Sequence, residues 1–143
     1  MMFIDASALC AVLLNEPEAP AMLTAMEMAR GKLLISPVVR IEATLAIARS
    51  LRDARGTTHI AEAHFDEASA LVGELVSSLG AREMHITESM GTAAIAALRK
   101  YGKVAGHPAR LNLGDALTYA AAKAFRAPLL YKGDDFAQTD LAG

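Results

Sequence analysis

The sequence predicts an α/β domain of three layers, with helices covering both faces of a short-stranded, mainly parallel central sheet. Three observations lead there. The strand candidates at residues 2–4, 33–35, 84–86 and 128–131 are short and almost entirely apolar, as strands are when a helix-covered parallel sheet buries both their faces. Helical segments separate each strand from the next, in the order β-α-α-β-α-α-β-α-α-β, which folds through right-handed crossovers. Alanine and leucine, both strong helix formers, contribute much of a composition that is 53% hydrophobic.

The elements follow in order. Residues 2–4 form an apolar run that stops at Asp5, and a helical pattern covers 6–14 until Asn15-Glu16-Pro17 ends it. A second helix begins at Pro17 or Glu18, reaches Arg30 and stops at Gly31. After the strand at 33–35, Ser36 reads as an N-cap with Pro37 at the first helical position. That helix continues to about Arg55, before Gly56. A long helix over about 58–79 ends at Gly80, and Thr87 opens another after the strand at 84–86. Residues 101–110 contain Gly102, Gly106 and Pro108 and read as a loop. A helix over 112–124, the strand at 128–131 and a turn at Gly133-Asp134-Asp135 complete the pattern. No repeat, low-complexity tract or linker interrupts it. The 143 residues suit one domain spanning 1–143 with a core that needs no staples.

Composition excludes some function classes. A net charge of −2 is not that of a protein held to nucleic acid by bulk basicity, and the absence of tryptophan with only 5% aromatics excludes a base-stacking platform. A local basic patch, or a metal that reverses the sign of a site, stays compatible. Cys10 is the lone cysteine, so no internal disulfide forms, which fits a reducing cytoplasm. The N-terminus lacks the basic and apolar regions of a signal peptide, and no uncharged apolar stretch is long enough to span a bilayer. The expected location is cytoplasmic, with no membrane partner.

In open parallel sheets the ligand crevice lies beyond the carboxyl ends of the strands. Asp5 directly follows the first strand, and Asp134-Asp135 follows the last. Glu42 lies in a helix whose apolar stripe reads as Val38, Ile41, Leu45 and Ala48, which turns Glu42 inward. An inward glutamate costs free energy unless something pairs with it, and a metal ion at the strand rim is one such partner. Asp115 falls in the first turn of the helix over 112–124, where an acid is favoured by the helix dipole. The apolar face of that helix reads as Leu113, Ala116, Leu117, Ala120 and Ala124. Each acid also has a structural role open to it. Asp5 can cap the first helix, Asp115 can complete a capping box with Asn112, Glu42 can pair with Arg110, and Asp134 and Asp135 can be turn residues. Taken together, carboxylates from four separate elements on one rim repel unless a cation sits among them.

These residues carry a family resemblance. Phe3-Ile4-Asp5-Ala6-Ser7-Ala8-Leu9 resembles the opening of PIN domains, and Ser36-Pro37-Val38-Val39-Arg40-Ile41-Glu42-Ala43 resembles their second acidic motif. Leu113-Gly114-Asp115-Ala116-Leu117-Thr118-Tyr119-Ala120-Ala121-Ala122 resembles the third. Leu129-Leu130-Tyr131-Lys132-Gly133-Asp134-Asp135-Phe136 with Thr139-Asp140 resembles the fourth. Together they look like the VapC branch of toxins, while residues 56–95 match only in helical character. Gly133 stands where many relatives carry an acid, so the fourth acid is Asp134 or Asp135, with Asp135 favoured because it precedes Phe136. The chain also stops soon after Thr139-Asp140-Leu141, where relatives continue into an edge strand, so that strand is expected to be very short or absent.

The resemblance implies a metal-dependent endoribonuclease, the toxin of a toxin–antitoxin pair. An all-carboxylate set suits Mg²⁺, with Mn²⁺ as a substitute, rather than zinc. None of His59, His64, His85 and His107 joins Cys10 in a zinc-type pattern. Asp5 and Asp115 are then expected to hold the ion with support from Glu42, Asp135 to complete the site, and Ser7 to hydrogen-bond among the ligands. RNA is the implied substrate, cut to leave a 5′-phosphate and a 3′-hydroxyl. Arg99, Lys100, Lys103 and Arg110, with His107, cluster ahead of Asp115 and are expected to hold its phosphates. A homodimer and a small antitoxin protein are the implied partners. Leu9, Val12, Leu13, Met22 and Met26 offer either core or an adaptable docking surface. The alternatives are a PIN-type RNA-processing nuclease that is not a toxin, and a non-catalytic PIN-like binding module. A haloacid-dehalogenase-like hydrolase needs an acid two positions after Asp5, where Ser7 stands.

Overall fold

Four short strands, β1 (Met2–Ile4), β2 (Leu33–Ile35), β3 (Arg82–Glu83) and β4 (Leu129–Leu130), pair in the order β3-β2-β1-β4, all parallel. They belong to a computed structural model that describes residues 1–141. Six α-helices connect and cover the strands: α1 (Ala6–Leu13), α2 (Ala19–Met28), α3 (Pro37–Arg55), α4 (Glu62–Leu79), α5 (Glu88–Tyr101) and α6 (Leu113–Ala124). The order of strands and α-helices is the one expected from the sequence. β1 lies inside the sheet, between β2 and β4, and Phe3 and Ile4 are fully buried. The carboxyl ends of β1 and β4 are adjacent, since Ile4 pairs with Leu130. Asp5 and the turn after β4 therefore emerge side by side.

The helix starts are local chemistry. Ser36 accepts from Val39 N at 3.3 Å and Asn112 accepts from Asp115 N at 2.9 Å, each satisfying an otherwise unpaired amide of a first turn. Pro37 occupies the first turn of α3, and Gly56 ends that helix in the left-handed conformation at φ 70°.

Several expectations need correction. The third strand is not 84–86 but Arg82–Glu83, although Met84 N still donates to Ile35 O at 2.8 Å. β3 is an edge strand, so it carries exposed charges and lacks the apolar signature of a buried strand. α4 starts at Glu62 rather than near 58, where His64 Nδ1 accepts from Ala61 N at 2.9 Å. The buried stripe of α3 is Val39, Ala43, Ile47 and Ala48, and Ile41 is 57% exposed. Both stripes are rich in apolar residues; contacts with α1, α4 and α6 decide which one is covered. On α6, Leu113 is exposed, while Ala116, Thr118, Ala120, Ala121 and Ala122 are buried.

Leu9 and Met26 are fully buried, and Val12, Leu13 and Met22 pack on the same cluster, so these residues are core. The last strand among the described residues is β4. Phe136–Gln138 forms a 3-10 turn, Leu141 packs on the core, and an edge strand beyond it falls outside the described residues. No helix among the described residues is long and apolar enough to cross a membrane.

Candidate active site

β1 delivers Asp5 to the rim and α1 starts on it. Asp5 is the N-cap of α1, and one of its oxygens, Oδ2, accepts both Ser7 N at 3.0 Å and the Ser7 hydroxyl at 2.5 Å. Ser7 Oγ in turn accepts Lys132 N at 3.0 Å, tying the segment after β4 to the same carboxylate. The Lys132 ammonium is ion-paired with Glu16, with Glu18 at 3.7 Å.

Asp115 sits in the first turn of α6 in a reciprocal capping box, its Oδ2 accepting Asn112 N at 3.1 Å. Glu42 reaches the same place from α3. Its nearest constraint is Gly114, on the first turn of α6: a Cβ built on Gly114 would lie 2.5 Å from Glu42 Cδ and closer still to Oε2. The Glu42 carboxylate therefore fills the space that a side chain at position 114 would need.

Asp5, Ser7, Cys10, Glu42, Arg49 and Asp115 line one cleft of about 410 Å³. The structural roles foreseen for Asp5 and Asp115 are thus realised without withdrawing either carboxylate from the cleft. The pairing of Glu42 with Arg110 is not found among the described residues. Asp134 takes a turn role, its backbone carbonyl accepting Ala137 N at 3.1 Å. Asp135 starts the 3-10 turn, and its charge acts on both Asp5 and Asp115. Arg99, Lys100, Lys103 and Arg110 are exposed and do not line this cleft. Lys100 instead lies 5.1 Å from the Tyr101 ring centre.

Burial and mutual repulsion dominate the electrostatics. Burial raises Asp5, against the lowering effect of its Ser7 bonds, and the Asp135 charge adds to the rise. Glu42 is pushed up to about 7 by burial, then by Asp5 and Asp115. Asp115 is pushed up to about 6, chiefly by burial, with the Asn112 amide lowering it and Asp5 and Asp135 raising it. The Cys10 thiol is raised to about 11 by burial and by the charges of Asp5 and Glu42, so it stays protonated and is a poor nucleophile at neutral pH.

This donor set fits a hard divalent cation. It is all oxygen on three facing elements, and Glu42 and Asp115 are raised first by burial and then by neighbouring carboxylates, both of which a bound cation would offset. Among the described residues no three acidic, histidine or cysteine side chains close into a metal cage. An open set suits Mg²⁺, which keeps several waters and takes one or two carboxylates beside phosphate oxygens.

Sequence reasoning missed two features. Arg49 lies seven residues after Glu42 and so on the same face of α3, a spacing that was available to be read. The need for glycine at 114 depends on where α3 crosses α6, and no local signal carries it.

The PIN domain family model matches residues 2–141. The chain belongs to the PIN-domain family. Relatives of this PIN domain extend over its whole length. A VapC ribonuclease of Rhizobium meliloti is 43% identical over 142 residues, covering 99% of each chain. Ribonuclease VapC42 of Mycobacterium tuberculosis is 33% identical over 140 residues, covering 98% of this chain and 96% of its own. Among solved structures, Mycobacterium tuberculosis VapC20, a sarcin-ricin loop cleaving toxin, matches with a TM-score of 0.68 at 15% identity, over 96% of this chain and 93% of that one. A toxin–antitoxin complex from Klebsiella pneumoniae matches with a TM-score of 0.62 at 18% identity, over 99% and 94%. At these identities the two structures speak for the fold, a PIN-type α/β/α domain around a parallel sheet.

Proposed function

We propose that this PIN protein is a Mg²⁺-dependent endoribonuclease, with Mn²⁺ as a substitute ion, that acts as the toxin of a toxin–antitoxin pair. The observation that carries the reading is that Asp5, Glu42 and Asp115, from three separate segments, line one cleft, where burial and then the Asp5 charge raise the proton affinity of Glu42 and Asp115. The VapC ribonuclease relatives, matched over nearly their full length, support the reaction class.

In this reading Asp5 and Asp115 hold the ion, Glu42 supports it from α3 and Asp135 completes the set. A divalent ion bound there lowers the pKa of water and offsets charge on the phosphodiester. The chain itself supplies positioning. Ser7 fixes one oxygen of Asp5, and the Asn112 amide fixes one oxygen of Asp115. Water displaces the 3′-oxygen in line, and the products carry a 5′-phosphate and a 3′-hydroxyl. The exposed Arg99, Lys100, Lys103 and Arg110 approach more distant phosphates of the RNA. A small antitoxin and a second copy of the chain are the proposed partners, and the cytoplasm is the proposed site of action. A toxin–antitoxin complex among the structural neighbours is consistent with the antitoxin.

The test pairs a biochemical arm with a cellular one. Purified protein is expected to cut total bacterial RNA with Mg²⁺ and to stop when a chelator is added. Its expression is expected to arrest bacterial growth, with Asp5→Asn harmless. Cleavage without growth arrest would favour an RNA-processing nuclease. No cleavage by the intact protein under any divalent ion would leave a binding module.

The serine makes a milder prediction. Ser7→Ala should lower cleavage about 10- to 100-fold, the usual cost of losing a group that orients a ligand carboxylate. The loss should shrink at high Mg²⁺ if Ser7 acts by holding Asp5 in place, which a Mg²⁺ titration of the initial rate reads directly.

A further inference from the structure

α3 carries four arginines, and three of them have acidic partners. Arg40 meets Glu83 at 2.6 Å, Arg52 meets Asp53 at 3.0 Å and Arg55 meets Glu67 at 2.5 Å. Arg49 has no ion-pair or hydrogen-bond partner among the described residues. It is also the one Lys or Arg among the residues that line the acidic cleft. An exposed arginine near several carboxylates ordinarily folds onto one of them for modest Coulomb gain. Here the Glu42 carboxylate is packed against Gly114, and Arg49 lines the same cleft without pairing with any of its acids among the described residues.

From this we propose that Arg49 is a substrate-binding residue that takes a backbone phosphate next to the one being cut. The inference rests on the ribonuclease reading and adds a residue to it. Seven residues separate Glu42 from Arg49, about 10 Å along the helix axis at 1.5 Å per residue. That offset sets Arg49 beyond the carboxylates, so it meets a flanking phosphate rather than the reacting one. A planar fork of N–H donors suits a phosphodiester, and the charge survives at any working pH. The cleft thereby gains polarity: carboxylates gather at one end and a cation waits at the other, which fixes how a strand lies across it.

The test compares Arg49→Ala and Arg49→Lys with the intact protein. Initial rates are measured on total bacterial RNA with Mg²⁺, and binding to polyuridylate is followed by fluorescence anisotropy over a range of salt. Arg49→Ala should raise KM about five- to tenfold with kcat little changed. It should also flatten the plot of log affinity against log salt by about 0.7, the value of one lost phosphate contact on a single strand. Arg49→Lys should restore the salt slope but only part of the KM, because an ammonium is a point charge without the fork. Circular dichroism confirms that each variant is folded. An Arg49→Ala protein whose KM and salt slope match the intact one overturns the inference and leaves the ribonuclease reading standing. An intact protein that neither cuts nor binds RNA removes both.

Discussion

Asp115→Asn is expected to abolish RNA cleavage while making the ion-free protein more stable above pH 6. The loss should exceed the roughly 10- to 100-fold cost of disturbing a group that merely orients a ligand, because Asp115 is proposed to hold the ion itself. The gain follows from linkage. A carboxyl whose pKa is higher folded than unfolded favours the folded state in acid and disfavours it in base. Asp115 moves from 3.8 to about 6 and Glu42 from 4.5 to about 7, and in both cases burial is the largest cause. Their effect on stability is therefore absent below about pH 4, grows as the pH rises through these values and is complete above about pH 7. Asparagine at 115 removes one buried charge and relieves Asp5 and Glu42, yet it keeps an oxygen to accept Asn112 N. Thermal melts at pH 5 and pH 8 with a chelator should show the intact protein weaker at pH 8. Mg²⁺ should restore most of that difference for the intact protein and little for the variant. A variant no more stable than the intact protein at pH 8 would mean that the cleft acids are not in electrostatic conflict.

Gly114→Ala should separate folding from activity in a second way. Position 114 is ordinary helix, so glycine is not there for a left-handed conformation, and alanine is the better helix former by up to about 1 kcal/mol. What the glycine supplies is space. A methyl group at 114 would overlap the end of the Glu42 side chain, and that flexible end, rather than the α6 backbone, is the part able to move. The expected result is a protein that melts within a few degrees of the parent but cleaves RNA about 10- to 100-fold more slowly, since a misplaced supporting carboxylate weakens the site. Two comparisons guard the interpretation. Glu42→Gln should lose activity with Gly114 intact, and adding Gly114→Ala to it should cost much less than Gly114→Ala costs alone, because the two changes strike one interaction. Losses that simply multiply would mean the glycine matters for another reason.

The candidate site was legible in part because each acid also does something local. Asp5 follows an apolar run and caps a helix, Asp115 completes a box with Asn112, and Ser36-Pro37 announces α3 a fixed distance ahead of Glu42. These are short-range signals, readable within a few residues. The stripe that turns Glu42 inward on sequence grounds contains Ile41, which the structure leaves exposed. Glu42 faces the cleft because it shares a helix face with Leu45, Ala46 and Arg49, not because it belongs to the core stripe. The edge strand β3 was misplaced for the complementary reason: an exposed strand has no apolar run to mark it.

By itself the sequence determined the succession of strands and helices, the caps that start the helices and the rim on which Asp5 and Asp135 emerge. All of these follow from backbone propensity, capping and strand burial acting over a few residues. Only the tertiary structure decided which stripe of α3 is buried, that Glu42 rests against Gly114, and that Arg49 lines the cleft with no partner among the described residues. Those facts depend on how α3 and α6 pack and on distances between atoms far apart in the chain, and local preferences do not set such distances.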